Sequence, residues 1–236
     1  MNYRNRFAIA LVALLLLGAT SSAAAAVQPR KGTHELAVLN HSTEAYARPA
    51  RGSAPVQRVS GTGPITGEQT VLPVIAHHDD PTGAAWLKVL LPGRPNSHAG
   101  WITSRSTTSR ITDWQITVHL STRQVTVWFD GRPQRRFAAV VGKPSTPTPQ
   151  GRFFVEEDVA LGPDAVGAPY ALALSARSNV LQEFDGGPGQ IALHGINNIG
   201  GIPGTAASHG CMRLSTANIT WLAHHIAPGV PVTITA

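Results

Sequence analysis

The sequence predicts a mostly β fold in two parts: a small N-terminal β-barrel-like domain, and a larger β-rich domain that ends in one helix. Two observations carry this prediction. From Leu36 onward, short apolar runs alternate with Gly, Pro, Ser and Thr, which is typical of small barrels and sandwiches. Near the end, residues 216–226 instead place their apolar side chains at helical spacing.

The first 26 residues have the pattern of an export signal. Arg4 and Arg6 form a basic start, residues 7–17 an apolar core, and residues 23–26 supply small side chains for cleavage. Because a transmembrane helix needs about 20 apolar residues, an uncleaved anchor is the weaker alternative. We therefore expect an exported protein of the cell envelope, in the periplasm or the cell wall, that meets the membrane only through this signal.

A leader over residues 27–34 is predicted to precede the small all-β domain, residues 35–104. The closing part of that domain, residues 86–95 with 100–102, resembles the last hairpin of a bacterial Src-homology-3-like domain. The polar stretch 105–110 contains no apolar side chain and is interpreted as a linker.

Residues 111–236 carry stronger strand patterns. Asp130-Gly131 between two β-rich runs predicts a tight hairpin. Three prolines within residues 141–151 exclude a central strand or a helix there. Ser215 is expected to cap the helix that spans residues 216–226.

The only cysteine of the 236 residues, Cys211, lies in the segment Ser208-His209-Gly210-Cys211. It cannot form an intrachain disulfide, and a lone thiol in an exported protein suggests intermolecular pairing or a reactive centre. An imidazole close to a thiol supports the thiolate, which is the nucleophilic form. His209 is two residues away and His194 is seventeen residues upstream, so a Cys–His pair is available. A buried, inert cysteine is the alternative.

Such a pair supports acyl transfer. The imidazole takes the thiol proton, or forms an ion pair with the thiolate at rest, and the sulfur attacks an amide carbonyl. Backbone N–H groups of the turn at residues 208–211, which Gly210 allows to bend, are expected to stabilise the oxyanion.

These residues closely resemble the catalytic domain of the L,D-transpeptidases, the YkuD family. That family has a His, a spacer in the mid-teens, Ser/Thr-His-Gly-Cys and a hydrophobic residue, often followed by Arg or Asn. Here thirteen residues separate His194 from Ser208-His209-Gly210-Cys211, and Met212 and Arg213 follow. Residues 148–153 also resemble the segment that enters the catalytic sheet in this family.

The resemblance implies an L,D-transpeptidase-type β-sandwich catalytic domain in which Cys211 is the nucleophile and His194 the base. The backbone carbonyl of Gly195 would orient the imidazole. His209 is expected to shape the loop and support the ion pair rather than act as the primary base. Ser208 is expected to hold the loop through local hydrogen bonds, an ordinary turn serine being the alternative.

The resemblance also implies substrate contacts and partners. Arg213 is expected to bind a carboxylate of the peptide substrate, with a surface ion pair as the alternative. Tyr170 matches the tyrosine that assists the oxyanion in some members, with core packing as the alternative. The implied substrates are peptidoglycan stem peptides: a tetrapeptide donor that loses its terminal D-alanine, and the side-chain amine of a second stem as acceptor. Carbapenem-type β-lactams would inhibit by acylating the cysteine, and no cofactor is implied.

Several alternatives stay open. Water in place of the amine would make the protein an L,D-carboxypeptidase or another cysteine-dependent wall peptide hydrolase. Papain-like enzymes usually present Cys before His, the reverse of the order here. A non-catalytic wall-binding protein is a further alternative, and the N-terminal domain would bind the wall, position the catalytic domain or act as a spacer. A zinc site of His194, His209 and Cys211 lacks the usual ligand spacing, so no metal is expected.

The charge pattern argues against nucleic acid as a partner. The chain has a formal net charge of +6, but its Lys and Arg residues are dispersed and form no cluster with interleaved aromatic residues.

Overall fold

The computed structural model describes residues 32–50, 52–81, 83–184 and 186–236; the predicted export signal and most of the leader lie outside them. The described residues form seventeen strands, one 3₁₀ turn and one α-helix, so the fold is mostly β as predicted. The strands form a seven-stranded, an eight-stranded and a two-stranded sheet. None of the helical structure in these ranges is long and apolar enough to cross a membrane.

The N-terminal sheet is antiparallel throughout, in the order β3-β2-β6-β5-β4-β1-β7. Its strands are β1 His34–Leu39, β2 Thr43–Tyr46, β3 Pro55–Val59, β4 Val71–Asp79, β5 Ala85–Leu90, β6 Ala99–Thr103 and β7 Thr107–Thr112. Alternate apolar side chains, such as Leu39, Leu72 and Ile102, fill its core. The likeness of this region to a Src-homology-3-like domain stays a prediction.

The interpretation of residues 105–110 as a linker is wrong. Ser104–Ser106 forms a 3₁₀ turn, and β7 pairs with β1 over six residues. Most side chains of β7 are exposed, so this edge strand needs few apolar residues, and its threonines favour extended backbone. The low apolar content of this segment therefore indicates an edge strand. The connection between β7 and the next strand consists of Asp113 alone.

The C-terminal part contains the eight-stranded sheet, ordered β10-β9-β8-β17-β12-β13-β14-β16. Its strands are β8 Trp114–His119, β9 Gln124–Phe129, β10 Arg132–Ala138, β12 Gly151–Ala160, β13 Tyr170–Arg177, β14 Gln190–Gly195, β16 Met212–Leu214 and β17 Pro231–Thr235. Two short strands, β11 Val141–Gly142 and β15 Ala206–Ser208, pair separately in parallel. The predicted hairpin at Asp130-Gly131 is confirmed, since it joins β9 to β10.

Helix α1, Thr216–Ala223, covers one face of β13 and β14 and buries Ile219 and Leu222. It begins after Ser215 as predicted, but the Ser215 side chain makes no capping hydrogen bond. The helix ends before residue 226 because His224 is already its C-terminal cap.

Strand β12 of the eight-stranded sheet lies between the cores of the two large sheets. Successive residues of β12 point in opposite directions, so Phe153 packs into the core of the eight-stranded sheet and Phe154 into the N-terminal core. Glu157, also in β12, is buried at 2% exposure. Its carboxylate accepts hydrogen bonds from the backbone N–H groups of Ile65 and Thr66. The N-terminal sheet is thus fixed directly against the strand that leads towards the predicted site.

Candidate active site

The parallel pairing of β14 with β16 assembles the predicted site residues. In this register His194 lies opposite Arg213, and partners in a β ladder present their side chains on the same face. Cys211 immediately precedes β16, and its Sγ lies 3.9 Å from the carbonyl oxygen of Gln190 at the start of β14. Cys211, His194 and Arg213 therefore all lie at this one edge of the eight-stranded sheet.

The His194 imidazole is oriented as the resemblance implied. Nδ1 lies 2.8 Å from the carbonyl oxygen of Gly195, and because a carbonyl only accepts, Nδ1–H is the donor and Nε2 carries the lone pair in the neutral ring. A side chain at Gly195 would overlap the Ala168 carbonyl oxygen, which explains the glycine. Gly167 packs against the same ring, where a Cβ would lie 2.5 Å from Nδ1.

Gly167 and Ala168 were missed by the sequence reasoning. They belong to the connection between β12 and β13, and the backbone of Gly167 accepts from the Gly195 N–H at 2.8 Å and donates to the Asn197 carbonyl at 2.9 Å. The sequence Gly167-Ala168-Pro169 predicts only a turn. No local feature of it indicates that Gly167 contacts His194, twenty-seven positions later.

Burial lowers the pKa of His194 and raises the pKa of the Cys211 thiol. For His194, the Gly195 hydrogen bond opposes this effect and the Arg213 charge adds to it. For Cys211, a backbone hydrogen bond at Ala192 and the Arg213 charge both oppose the burial. Burial therefore works against the charged form of both groups.

Ser208 holds the turn before Cys211, as predicted. Its hydroxyl donates to the Cys211 carbonyl at 2.6 Å and accepts from the Gly210 N–H at 3.1 Å. Gly210 has φ +123°, a conformation that other residues rarely adopt. Since the Gly210 N–H is already bonded, the N–H groups of His209 and Cys211 are the donors that this turn leaves for an oxyanion; neither has an acceptor within the described ranges.

A second support for this turn comes from the proline-rich segment after β11. Thr148 donates from its hydroxyl to the Gly210 carbonyl at 2.8 Å, and Thr146 donates to the Ser208 carbonyl at 3.2 Å. The Lys143 N–H also donates to the Ser208 carbonyl, at 3.0 Å. Sequence reasoning recognised this segment as irregular but could not show that it braces residues sixty-two positions away.

Arg213 is a buried residue, with 9% of its surface exposed. Its Nη1 donates to the Gly200 carbonyl at 3.3 Å, while its Nε is buried without a partner in the described part of the chain. The alternative of a surface ion pair is therefore wrong. The guanidinium keeps unused donors beside His194.

The assignment of Tyr170 to substrate binding is wrong. Ala171 lies opposite His194 in the β13–β14 ladder, so the neighbouring Tyr170 points to the other face of the sheet. There its ring packs on the core and lies edge-on to His224, with centroids 5.8 Å apart. Core packing, the alternative interpretation, describes its position.

His209 is exposed, and its ring stacks on Phe184 with centroids 5.8 Å apart. This contact joins the Ser208–Cys211 turn to the connection between β13 and β14. Among the described residues, no three His, Cys, Asp or Glu side chains form a cluster that could hold a metal ion.

A family model for the L,D-transpeptidase catalytic domain, YkuD, matches residues 113–234. The chain belongs to this family. The matched region contains all the residues of the site described above, from the bracing threonines to Arg213.

Individual relatives are more distant. The Bacillus subtilis (strain 168) protein YkuD is 29% identical over 121 residues, which is 51% of this chain and 65% of that protein. The L,D-transpeptidase 3 of Mycobacterium tuberculosis, solved with a faropenem-derived adduct, aligns at a TM-score of 0.45 with 17% identity, covering 71% of this chain and 91% of its own. The L,D-transpeptidase of Enterococcus faecium aligns at a TM-score of 0.41 with 21% identity over 52% of this chain and 49% of its own.

Proposed function

We propose that this protein is an L,D-transpeptidase that cross-links peptidoglycan stem peptides through a thioester on Cys211. The observation that carries the proposal is the juxtaposition of the Cys211 turn with the strand of His194, whose ring donates from Nδ1 to the Gly195 carbonyl and keeps Nε2 as the proton acceptor. Family membership sets the reaction class.

In the acylation half-reaction, His194 Nε2 takes the thiol proton as Sγ attacks the carbonyl carbon before the terminal D-alanine of a tetrapeptide stem. The free N–H groups of His209 and Cys211 stabilise the oxyanion, and one such donor is typically worth about 3 kcal/mol. Collapse breaks the C–N bond, His194 returns its proton to the departing amine, and the tripeptide stays on sulfur as a thioester.

In the second half-reaction, the side-chain amine of another stem attacks the thioester carbonyl. His194 accepts the proton of the attacking amine and delivers it to the departing thiolate, so the resting pair is restored. Burial disfavours the charged form of both groups, so we expect the proton to move as the acyl carbon comes within reach of the sulfur.

Arg213 supplies the positive charge of the site. Its buried guanidinium donates to the Gly200 carbonyl, and within the described part of the chain its Nε has no partner and no carboxylate pairs with it. We assign it to a carboxylate of the donor peptide, which arginine binds well. That interaction would place the scissile carbonyl over Cys211.

The same chemistry makes carbapenem-type β-lactams inhibitors of this protein, because a strained lactam carbonyl acylates a cysteine that an imidazole activates. L,D-transpeptidases have been solved in complex with imipenem and acylated by ertapenem. We further propose that the chain is exported and acts in the cell envelope, where its peptidoglycan substrate lies.

Mass spectrometry of products from a defined tetrapeptide stem tests the proposal. With an acceptor stem present, we expect a cross-linked product and free D-alanine. Exclusive hydrolysis to the tripeptide, with the acceptor unused, would instead identify an L,D-carboxypeptidase. Neither product, from protein that is folded and has a free thiol, would refute both enzyme assignments.

A further inference from the structure

The connection between β13 and β14 borders the candidate active site next to the Ser208–Cys211 turn. Its described residues are 178–184 and 186–189. It touches the site twice: the Phe184 ring stacks on His209, and Gln190, directly after the connection, presents the carbonyl that lies 3.9 Å from Cys211 Sγ. The position of this connection therefore affects both the Cys211 thiol and the His209 imidazole.

Few of the bonds that hold this connection come from its own sheet. Within it, the Ser178 N–H donates to the Gly189 carbonyl at 2.7 Å, which brings its two ends together. Phe184 and Gly187 exchange a pair of backbone hydrogen bonds at its tip. Further support comes from the N-terminal part of the chain.

Arg94, in the hairpin between β5 and β6, spans both ends of the connection with one guanidinium. Its Nη1 donates to the Pro188 carbonyl at 2.9 Å, and its Nη2 donates to the Ser178 and Leu181 carbonyls at 2.8 and 3.1 Å. A planar guanidinium with donors in a fixed fork can join three carbonyls in this way, whereas an ammonium cannot reproduce the geometry.

Asn96 of the same hairpin adds three more bonds. Its side-chain Nδ2 donates to the Arg177 carbonyl at 2.7 Å and to Asn179 Oδ1 at 2.9 Å. Its side-chain Oδ1 accepts from the Arg177 backbone N–H at 2.8 Å. Arg177 is the last residue of β13, so the N-terminal hairpin fixes the point where the connection leaves the sheet.

We propose that Arg94 is a positioning residue for the reaction: from the N-terminal sheet it fixes the β13–β14 connection, and through it the Gln190 carbonyl at Cys211 and the Phe184 ring at His209. This inference rests on the proposed function only for its effect on turnover. It gives the N-terminal sheet a defined part in catalysis, and it predicts that the catalytic part depends on a side chain from outside the family-matched region, residues 113–234.

The decisive comparison is between Arg94→Ala and Arg58→Ala in the full chain. Both arginines are among the residues that line one cavity of about 460 Å³ between the two sheets. Arg58, however, forms an exposed ion pair with Glu44 at 3.1 Å and, among the described residues, no bond to the connection. Both variants remove one positive charge from the cavity, but only Arg94→Ala releases the connection.

Two measurements do not require turnover. We expect Arg94→Ala to speed amide hydrogen exchange across residues 178–189 and leave the Ser208–Cys211 turn unchanged. We also expect a changed rate of Cys211 alkylation by iodoacetamide, followed by intact mass. Arg58→Ala should match the wild type in both. Equal behaviour of the two variants in exchange and alkylation would overturn the proposal, even if the protein proved to be no transpeptidase.

Turnover adds a third measurement. A displacement of about 1 Å at a reacting group costs up to about 100-fold in rate, so we expect Arg94→Ala to lower kcat about 10- to 100-fold with little change in KM. Arg94→Lys should recover only part of this loss. A purely structural role would lower the melting temperature of Arg94→Ala and leave kcat of the folded fraction unchanged, which would contradict the proposal.

Gly189→Ala provides an independent route if Arg94→Ala does not fold. A Cβ at Gly189 would overlap the Leu181 carbonyl oxygen and lie 3.3 Å from Arg94 Nη2, so it disturbs the same two ends with the guanidinium still present. We expect faster exchange over residues 178–189 and a lower kcat, in the same direction as Arg94→Ala. Unchanged alkylation and kcat in folded Gly189→Ala would also count against the proposal.

Discussion

The two large sheets of this protein are connected in different ways, and the chemistry lies where the connections are long. Every neighbouring pair in the seven-stranded sheet is antiparallel, whereas the eight-stranded sheet contains two parallel pairs, β8 with β17 and β14 with β16. A parallel pair requires a crossover of a dozen or more residues. The crossover from β14 to β16 contains residues 196–211 and returns Cys211 beside the strand of His194.

This difference separates the tasks of the two sheets. The eight-stranded sheet holds the proposed nucleophile, the proposed base and Arg213, while the N-terminal sheet contributes contacts such as those of Arg94 and of the turn that binds Glu157. Changes at the parallel edge should therefore affect chemistry most strongly. Changes where the sheets meet should affect stability or positioning by smaller amounts.

The largest effect is expected from Cys211→Ala. Removing the only sulfur nucleophile should abolish turnover of the tetrapeptide and leave the fold intact, because the turn is held by Ser208, Thr146 and Thr148 rather than by the thiol. Product analysis and a thermal melt check this together. Residual cross-linking by purified Cys211→Ala would refute the assignment of the nucleophile.

The next largest effect is expected at His194, and replacing His209 should have a much smaller one. His194→Ala removes the proposed general base and should lower kcat/KM by about 10²- to 10⁴-fold. His209→Ala removes a stacked, exposed ring and should cost far less. Steady-state rates on the same donor decide the ranking, and a larger loss in His209→Ala would exchange their roles.

Gly195→Ala tests whether the close packing of Gly195 against the Ala168 carbonyl contributes to stability and activity. The new Cβ would overlap the Ala168 carbonyl oxygen, so we expect the free energy of unfolding to fall by about 1–3 kcal/mol and activity to fall with it. Gly162→Ala is the matched control, because its Cβ would meet no atom within 4 Å. Urea unfolding of both variants is the measurement; equal stabilities would remove the argument for the Gly195–Ala168 packing.

Arg213→Gln should shift the pH dependence of the site. The Arg213 charge lowers the pKa of both His194 and Cys211, so its removal should raise both pKa values. The acidic limb of kcat/KM would then move to higher pH, and alkylation of Cys211 would need a more alkaline solution. Arg213→Lys keeps the charge and should show smaller shifts. Alkylation rates across pH, followed by intact mass, would contradict this account if Arg213→Gln reacted at lower pH than the wild type.

The smallest effect is expected where the two sheets meet. Burial, with the nearby Glu68 charge, raises the pKa of Asp158 from 3.8 to about 6, and its Oδ1 is buried without a partner among the described residues. A raised carboxyl pKa contributes stability that is present below pH 3.8 and lost as the pH rises through about 6. Asp158→Asn should therefore gain about 1 kcal/mol over the wild type at pH 7, a figure reduced for partial exposure, and nothing near pH 3.5. Chemical unfolding at both pH values measures this difference.

The sequence allowed the motif-bearing part of this architecture to be predicted because its signals are local. The Asp130-Gly131 turn and the start of helix α1 follow from neighbouring residues, and the order of His194, Ser208 and Cys211 carries the family likeness. The roles of Ser208 and Gly195 followed from that likeness, and their hydrogen bonds agree with it.

The rest depends on contacts between distant residues. The bracing of the turn by Thr146 and Thr148 spans sixty-two positions, and the Arg94 contacts span more than eighty. Tyr170 was misassigned because a one-residue step along a strand reverses the face, and only the register with β14 shows which face it takes. Composition likewise could not distinguish the polar edge strand β7 from a linker.

The most direct test of the central claim is the mass of the intact protein shortly after mixing with a tetrapeptide donor and no acceptor. A nucleophilic Cys211 predicts an increase equal to the donor minus D-alanine, located on the peptide that contains Cys211 and absent from Cys211→Ala. Turnover of the donor with no such adduct under rapid quench, or an adduct on another residue, would contradict it.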